Sequence, residues 1–341
     1  MMRKKNRIMA GCLAAILFFA VWGLSSHQQV LAKDPIKIRY TTGMPPTHYF
    51  CSDVQTHFAK EVEKRSQGKV KVELYSGGQL FGFVDSIDAA RTGAVEMALT
   101  SCGHWGGYNP IFKFSDYFLL VDNYEHWLRA RNAIHPILQA LYEKHNVKLL
   151  SYSAYGGNSI FGKKPISRLD DLKGQKIRAP VPGAFPCISA WGATPAKVDP
   201  GEVYDALSKG AIDAAITSWG FGYATKIFDV TKFYVGPIWW TMWVNFMNLD
   251  TWNSLPKDIQ QIVMDVSKES EDRSLESMTK FEDTSLAKLR EVGTVKILSS
   301  EELKEWGKPL KVVYGGWVEE CDKAKYGKEA RAIIEALDKV R

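Results

Sequence analysis

The sequence predicts an α/β protein built on parallel-rich sheets, and three observations predict it. Between Ile36 and Thr100, short alternating apolar and polar runs are separated by stretches of helical period. The same alternation returns between Val147 and Thr217. After Pro256, one unbroken helical pattern runs from Ile259 to Val292. Strands joined through helices must pair in parallel, with the helices lying on the faces of the sheet.

The chain begins with a segment of a different kind. Arg3, Lys4, Lys5 and Arg7 precede an apolar run from Ile8 to Leu24, and a polar stretch then ends in Val30-Leu31-Ala32. This order of charged, apolar and small residues reads as a secretory signal peptide over 1–32, cleaved near Ala32. The apolar run is short for a spanning helix, so no direct membrane insertion of the mature chain is expected. Cys12 lies too early in the run for a lipoprotein site. Four of the 44 Lys and Arg residues and none of the 38 Asp and Glu residues precede Lys33, which leaves the mature chain near +2. That balance gives no reason to expect a nucleic-acid partner. The roughly 309 residues that remain suffice for two lobes of ordinary size.

Ile36 to Tyr40 alternates as a strand, and the loop Gly43–His48 follows. Val54, Phe58 and Val62 mark a helix that ends near Gly68. Val70 to Leu74 alternates again, Val84, Ile87 and Ala90 mark a second helix, and Val95 to Thr100 is an apolar strand. In such sheets small ligands bind beyond the carboxyl ends of the strands. The loops Gly43–His48 and Ser101–Trp105 lie there, so His48, Ser101, His104 and Trp105 are candidate contacts. If the first and third strands are neighbours, Cys51 and Cys102 come close, either as a disulfide or as two buried thiols. No cysteine pair has zinc-ligand spacing, so no metal site is expected.

The second half repeats the pattern. Val147 to Ser151 is a strand and Tyr155-Gly156-Gly157-Asn158 is a glycine-rich crossing point. In Leu172-Lys173-Gly174-Gln175-Lys176-Ile177-Arg178-Ala179-Pro180, a turn glycine opens a short strand that a proline stops, which puts Arg178 at the strand's end. Its planar fork suits a carboxylate bidentately. Phe185–Trp191 and Glu202–Lys209 read as helices and Ile212–Thr217 as a strand. Phe233–Phe246 is unusually aromatic, with Trp239, Trp240 and Trp243, and a last helical segment starts at Lys328. His126, His135 and His145 fall on helix-like stretches and read as surface residues.

Nothing points to catalysis or to a cofactor. Gly157–Lys164 comes within one residue of a phosphate-binding loop, but Lys164 stands where a hydroxyl must hold magnesium. The spacings G-x-S-x-G, H-E-x-x-H and G-x-G-x-x-G do not occur.

Several stretches together resemble one family. They are Phe58-Ala59-Lys60-Glu61-Val62, Gly78-Gln79-Leu80, Leu172–Pro180, Gly192-Ala193-Thr194-Pro195, Gly201-Glu202-Val203-Tyr204-Asp205-Ala206-Leu207 and Trp252-Asn253-Ser254-Leu255-Pro256. In this order and spacing the chain, from about Ile36 to the C-terminal helix, is similar to the tripartite ATP-independent periplasmic (TRAP) transporter binding proteins of the dicarboxylate-binding-protein (DctP) type. The resemblance implies a two-lobed periplasmic binding protein fold with crossing strands and a long bridging helix. Lobe I would be 33–155 with about 243–282, and lobe II 156–242 with about 283–341. It also implies that Arg178 pairs with the ligand carboxylate. Many members carry a second arginine where this chain has Asn158, and an asparagine where it has Thr217. In their place Trp105, Trp219, Trp239 and Trp240, with Tyr108 and Phe221, offer an apolar wall.

The expected ligand is therefore a small organic acid, a monocarboxylate with a bulky or aromatic body, with a small sulfonate or dicarboxylate as the alternative. The expected partners are the small and large membrane subunits of a TRAP permease, reached in the periplasm. A ligand-binding partner of a signalling receptor is the rival role.

Overall fold

The computed structural model describes residues 34–341, so the export signal expected over 1–32 lies outside the described residues. The first stretch folds as the alternation predicts. Strand β1 (Ile36–Thr42), helix α1 (Thr56–Arg65), β2 (Val70–Tyr75), α2 (Asp85–Thr92) and β3 (Met97–Ser101) form a βαβαβ run. β1 pairs in parallel with both β2 and β3. The side chains of β3 alternate as a strand requires: Met97 and Leu99 join one buried cluster and Ala98 the other.

The 21-residue helix α3 (Tyr124–Lys144), capped by the Asn123 side chain, then leads into β4 (Val147–Ser153). Beyond it come β5 (Asn158–Gly162), β6 (Lys176–Arg178), α4 (Phe185–Ala190), β7 (Thr194–Ala196), α5 (Val203–Ser208), β8 (Ala214–Ser218), α6 (Trp219–Ala224) and β9 (Phe233–Trp239). The aromatic stretch resolves into two strands, β9 and β10 (Trp243–Asn248), with the chain crossing between sheets at 240–242. After α7 (Leu249–Ser254) come the long helix α8 (Lys257–Val292), β11 (Thr294–Ile297), α9 (Ser300–Gly307), α10 (Lys311–Lys323) and α11 (Gly327–Lys339).

The strands make two sheets, in the orders β2-β1-β3-β10-β4 and β11-β9-β5-β8-β6-β7. The antiparallel pairs all involve β10 or β5, the strands that follow the two crossings between sheets. Each crossing reverses the chain's direction relative to the sheet it enters, so mixed sheets result. α8 is 36 residues long, about 54 Å at 1.5 Å per residue, and it runs along both sheets. Its buried positions Ile259, Val263 and Val266 join the apolar cluster under the first sheet, and Leu289 joins the cluster under the second. Between them the buried face is mostly polar, with Ser267, Ser270, Ser274, Glu282 and Ser285 beside Met278.

One expectation needs correcting, and one pair of alternatives is decided. His126 is a buried histidine, not a surface one: its Nε2 lies 3.0 Å from the Leu337 carbonyl of α11, and the Asp122 amide donates to Nδ1 at 3.2 Å. α11 covers it, and no local pattern foretold that packing. Of the two readings for Cys51 and Cys102, buried thiols hold: both are free and buried, although β1 and β3 are neighbours. They lie in different apolar clusters, so the sheet separates them.

Candidate functional site

A cavity of about 590 Å³ opens at the edge where the two sheets present the carboxyl ends of their parallel strands. Its wall includes Arg178 from the end of β6, Thr217 near the end of β8, and Asn158 at the start of β5. Asn158 stands opposite Ser218 and Trp239, which closes that edge of the second sheet. From the first sheet come Ser101 at the end of β3 and Trp243 at the start of β10, directly opposite each other in register. His104, in the turn that follows β3, completes this side.

Arg178 is 2% exposed. Its Nε donates to the Val198 carbonyl at 3.0 Å and its Nη1 to the Ile216 carbonyl at 3.3 Å. These two bonds fix the plane of the guanidinium, yet no Asp or Glu pairs with it among the described residues. Burial pulls its pKa down to about 10, an effect partly offset by Tyr155 and Asp199. It therefore stays cationic at neutral pH. Among the described residues that line the cavity, Arg178 is the one charged side chain. A buried, unpaired cation is expensive, and the missing counter-ion is what an anionic ligand supplies.

The rest of the wall is neutral. His104 stacks on Phe83, with ring centroids 5.4 Å apart, and its Nδ1 lies 2.5 Å from Thr100 Oγ1. Burial pushes its pKa down to about 4, so the ring is uncharged under ordinary conditions. Phe83 meets Trp243 edge-on at 5.4 Å, and Trp243 packs against Tyr155 at 5.5 Å. Trp239 faces them from the second sheet, held by an indole hydrogen bond to the Ser115 carbonyl at 2.8 Å.

Of the residues singled out from the sequence, Arg178, Asn158, Thr217, Ser101, His104, Trp239 and Phe221 line this cavity. Others do not. Trp105 is fully buried against Tyr142 and Phe246 in the core. Trp219 packs on Phe161 beneath the second sheet. Trp240 lies over Gly157 and Tyr124 in the crossing segment. His48 stacks on Tyr49 and Tyr155, and its Nδ1 accepts from the Phe50 amide. The cavity also takes in Phe83, Tyr155, Thr241 and Trp243, which the sequence reading left out. For Tyr155, Thr241 and Trp243 the one signal was proximity to the crossing points, and Phe83, between β2 and α2, gave none. Among the described residues, no group of His, Cys, Asp and Glu could hold a metal ion.

Two α/β sheets, crossing strands, a spanning helix and an anion-ready cavity define a solute-binding protein of the two-lobed periplasmic class. The profile of the bacterial extracellular solute-binding protein family 7 (DctP) matches residues 41–320, and the chain belongs to that family. Its members are receptors that bind small organic acids for TRAP permeases and do not transform them. The chain is 30% identical over 259 residues to a solute-binding protein of Albidiferax ferrireducens, covering 73% of this chain and 76% of that one. It is 29% identical to a monocarboxylate 2-oxoacid-binding periplasmic protein of Nostoc sp., over 79% of this chain and 76% of that one. In fold it is similar to a Bordetella pertussis extracytoplasmic solute receptor binding pyroglutamic acid, with a TM-score of 0.79 and 23% identity, over 89% of this chain and 99% of that one.

Proposed function

We propose that this protein is exported to the periplasm, where it captures an organic acid with one dominant acidic group and a bulky, largely apolar body. It then delivers the acid to the small and large membrane subunits of a TRAP permease. The observation that carries this reading is the lone buried Arg178, unpaired in a cavity otherwise free of charge. One cation neutralises one anionic head, and Phe83, Tyr155, Trp239 and Trp243 surround the body with aromatic surface. The names of similar proteins lean the same way: a 2-oxoacid binder and a pyroglutamic acid binder both take acids with a single carboxylate.

The lobes would hinge where the chain crosses, at 155–157 and 240–242, with α8 spanning both. On this reading lobe I is 33–155 with about 243–282 and lobe II is 156–242 with about 283–341, with α11 of lobe II resting on α3 of lobe I. Closure would exclude water and strengthen the ion pair, so the ligand favours the closed state over the open one. The test is to denature the purified protein and identify the released acid by mass spectrometry, then titrate it back by calorimetry. Recovery of a cationic or uncharged solute would overturn the assignment.

A further inference from the structure

We propose that Ser101 and His104 form an uncharged polar pole that selects acids bearing a neutral hydrogen-bonding group away from the carboxylate, and that rejects dicarboxylates. This rests on Arg178 being the carboxylate anchor. Ser101 is 3% exposed, lines the cavity, and its hydroxyl has no hydrogen-bond partner. A buried hydroxyl left unmatched in the wall of a cavity is a group that an arriving ligand can satisfy. Beside it, His104 is locked by Phe83 on its face and Thr100 at Nδ1, which leaves Nε2 without a partner among the described residues. Burial keeps that ring neutral. Arg178 belongs to the second sheet and this pair to the first, so the two poles meet different parts of one ligand.

A hydroxyl and a neutral imidazole each donate or accept, so together they satisfy an amide, lactam, ketone or hydroxyl. A second carboxylate there would lose its hydration with no cation to replace it. The pole therefore discriminates by what it leaves unpaired in the wrong ligand.

The test is calorimetry at pH 7.5 with three benzoates that differ at the para position: carboxamide, carboxylate and isopropyl. The carboxamide is expected to bind at least about tenfold tighter than the isopropyl acid, with the dicarboxylate weakest. In Ser101→Ala, and separately in His104→Phe, the ratio of carboxamide to isopropyl affinity is expected to fall below about threefold. A dicarboxylate that binds as well as the carboxamide, or a ratio unchanged in both variants, overturns the proposal. The same titrations with Arg178→Met separate the two readings. If all three acids lose affinity there but wild type ignores the para group, the neutral pole alone is refuted. If no acid binds wild type, or Arg178→Met binds them equally well, the anchor reading falls and the pole with it.

Discussion

Replacing Arg178 by methionine separates a binding role from a structural one, because the two predict opposite outcomes. Removing one partner of a buried, hydrogen-bonded ion pair costs about 2–5 kcal/mol of binding. At 1.4 kcal/mol per decade, this weakens the released native acid by about 30-fold to several thousand-fold. The ligand-free protein responds differently. It holds an uncompensated buried cation, and exchanging such a charge for an apolar side chain of similar length is often neutral or stabilising by about 1–4 kcal/mol. Against that gain, the carbonyls of Val198 and Ile216 lose their donors, at about 1 kcal/mol or more each. The terms nearly cancel, so the melting temperature without ligand is expected to move by only a few degrees. Calorimetry gives the affinity and scanning calorimetry on stripped protein gives the stability. An affinity within threefold of wild type, or a ligand-free variant that melts more than about 10 °C lower, would refute the reasoning.

Three further outcomes can be checked. Burial raises the Glu282 carboxyl from its ordinary 4.5 to about 7, only partly offset by the Gly220 amide that donates to it at 3.1 Å. The native state thus keeps a proton that the unfolded chain loses between those pH values, and stability from this group is full below pH 4.5 and is lost as pH rises through 7. Glu282→Gln should therefore gain on wild type between pH 5 and pH 8, by at most about 3 kcal/mol in urea denaturation; a pH-independent difference would contradict this. A Cβ at Gly220 would overlap the Phe281 ring of α8, so Gly220→Ala is expected to cost about 1–3 kcal/mol and to lower the melting temperature. Burial pushes the thiols of Cys51, Cys102, Cys187 and Cys321 up to about 12. The mature native protein should thus resist thiol reagents, label four times once denatured, and keep one mass with or without reductant.

Sequence periodicity was a good guide wherever one element packs on its neighbours in the chain. The βαβαβ run and α8 are of this kind, because alternation and helical period report which face is buried. The mixed pairing of β5 and β10 was not legible, since it depends on the direction in which the chain enters a sheet. In the cavity, strand-end residues such as Arg178, Ser101 and Thr217 were accessible to reasoning because the fold class places strand ends there. The tryptophans were not. Trp243 faces the cavity because register sets it opposite Ser101, whereas Trp105, four residues past Ser101, turns into the core with Tyr142. Composition cannot tell one indole from the other, and long-range register decides.

The depth of Arg178 also has a bearing on the medium in which the receptor can operate. Mobile ions weaken attractions that cross solvent, with a reach of about 10 Å at 0.1 M salt, and they screen a pair much less where the cation is only 2% exposed. With the residues after 32 nearly balanced in charge, little long-range field remains for salt to damp during encounter. Both the strength and the speed of capture are thus expected to depend less on salt than they would if the anchoring arginine lay on the surface.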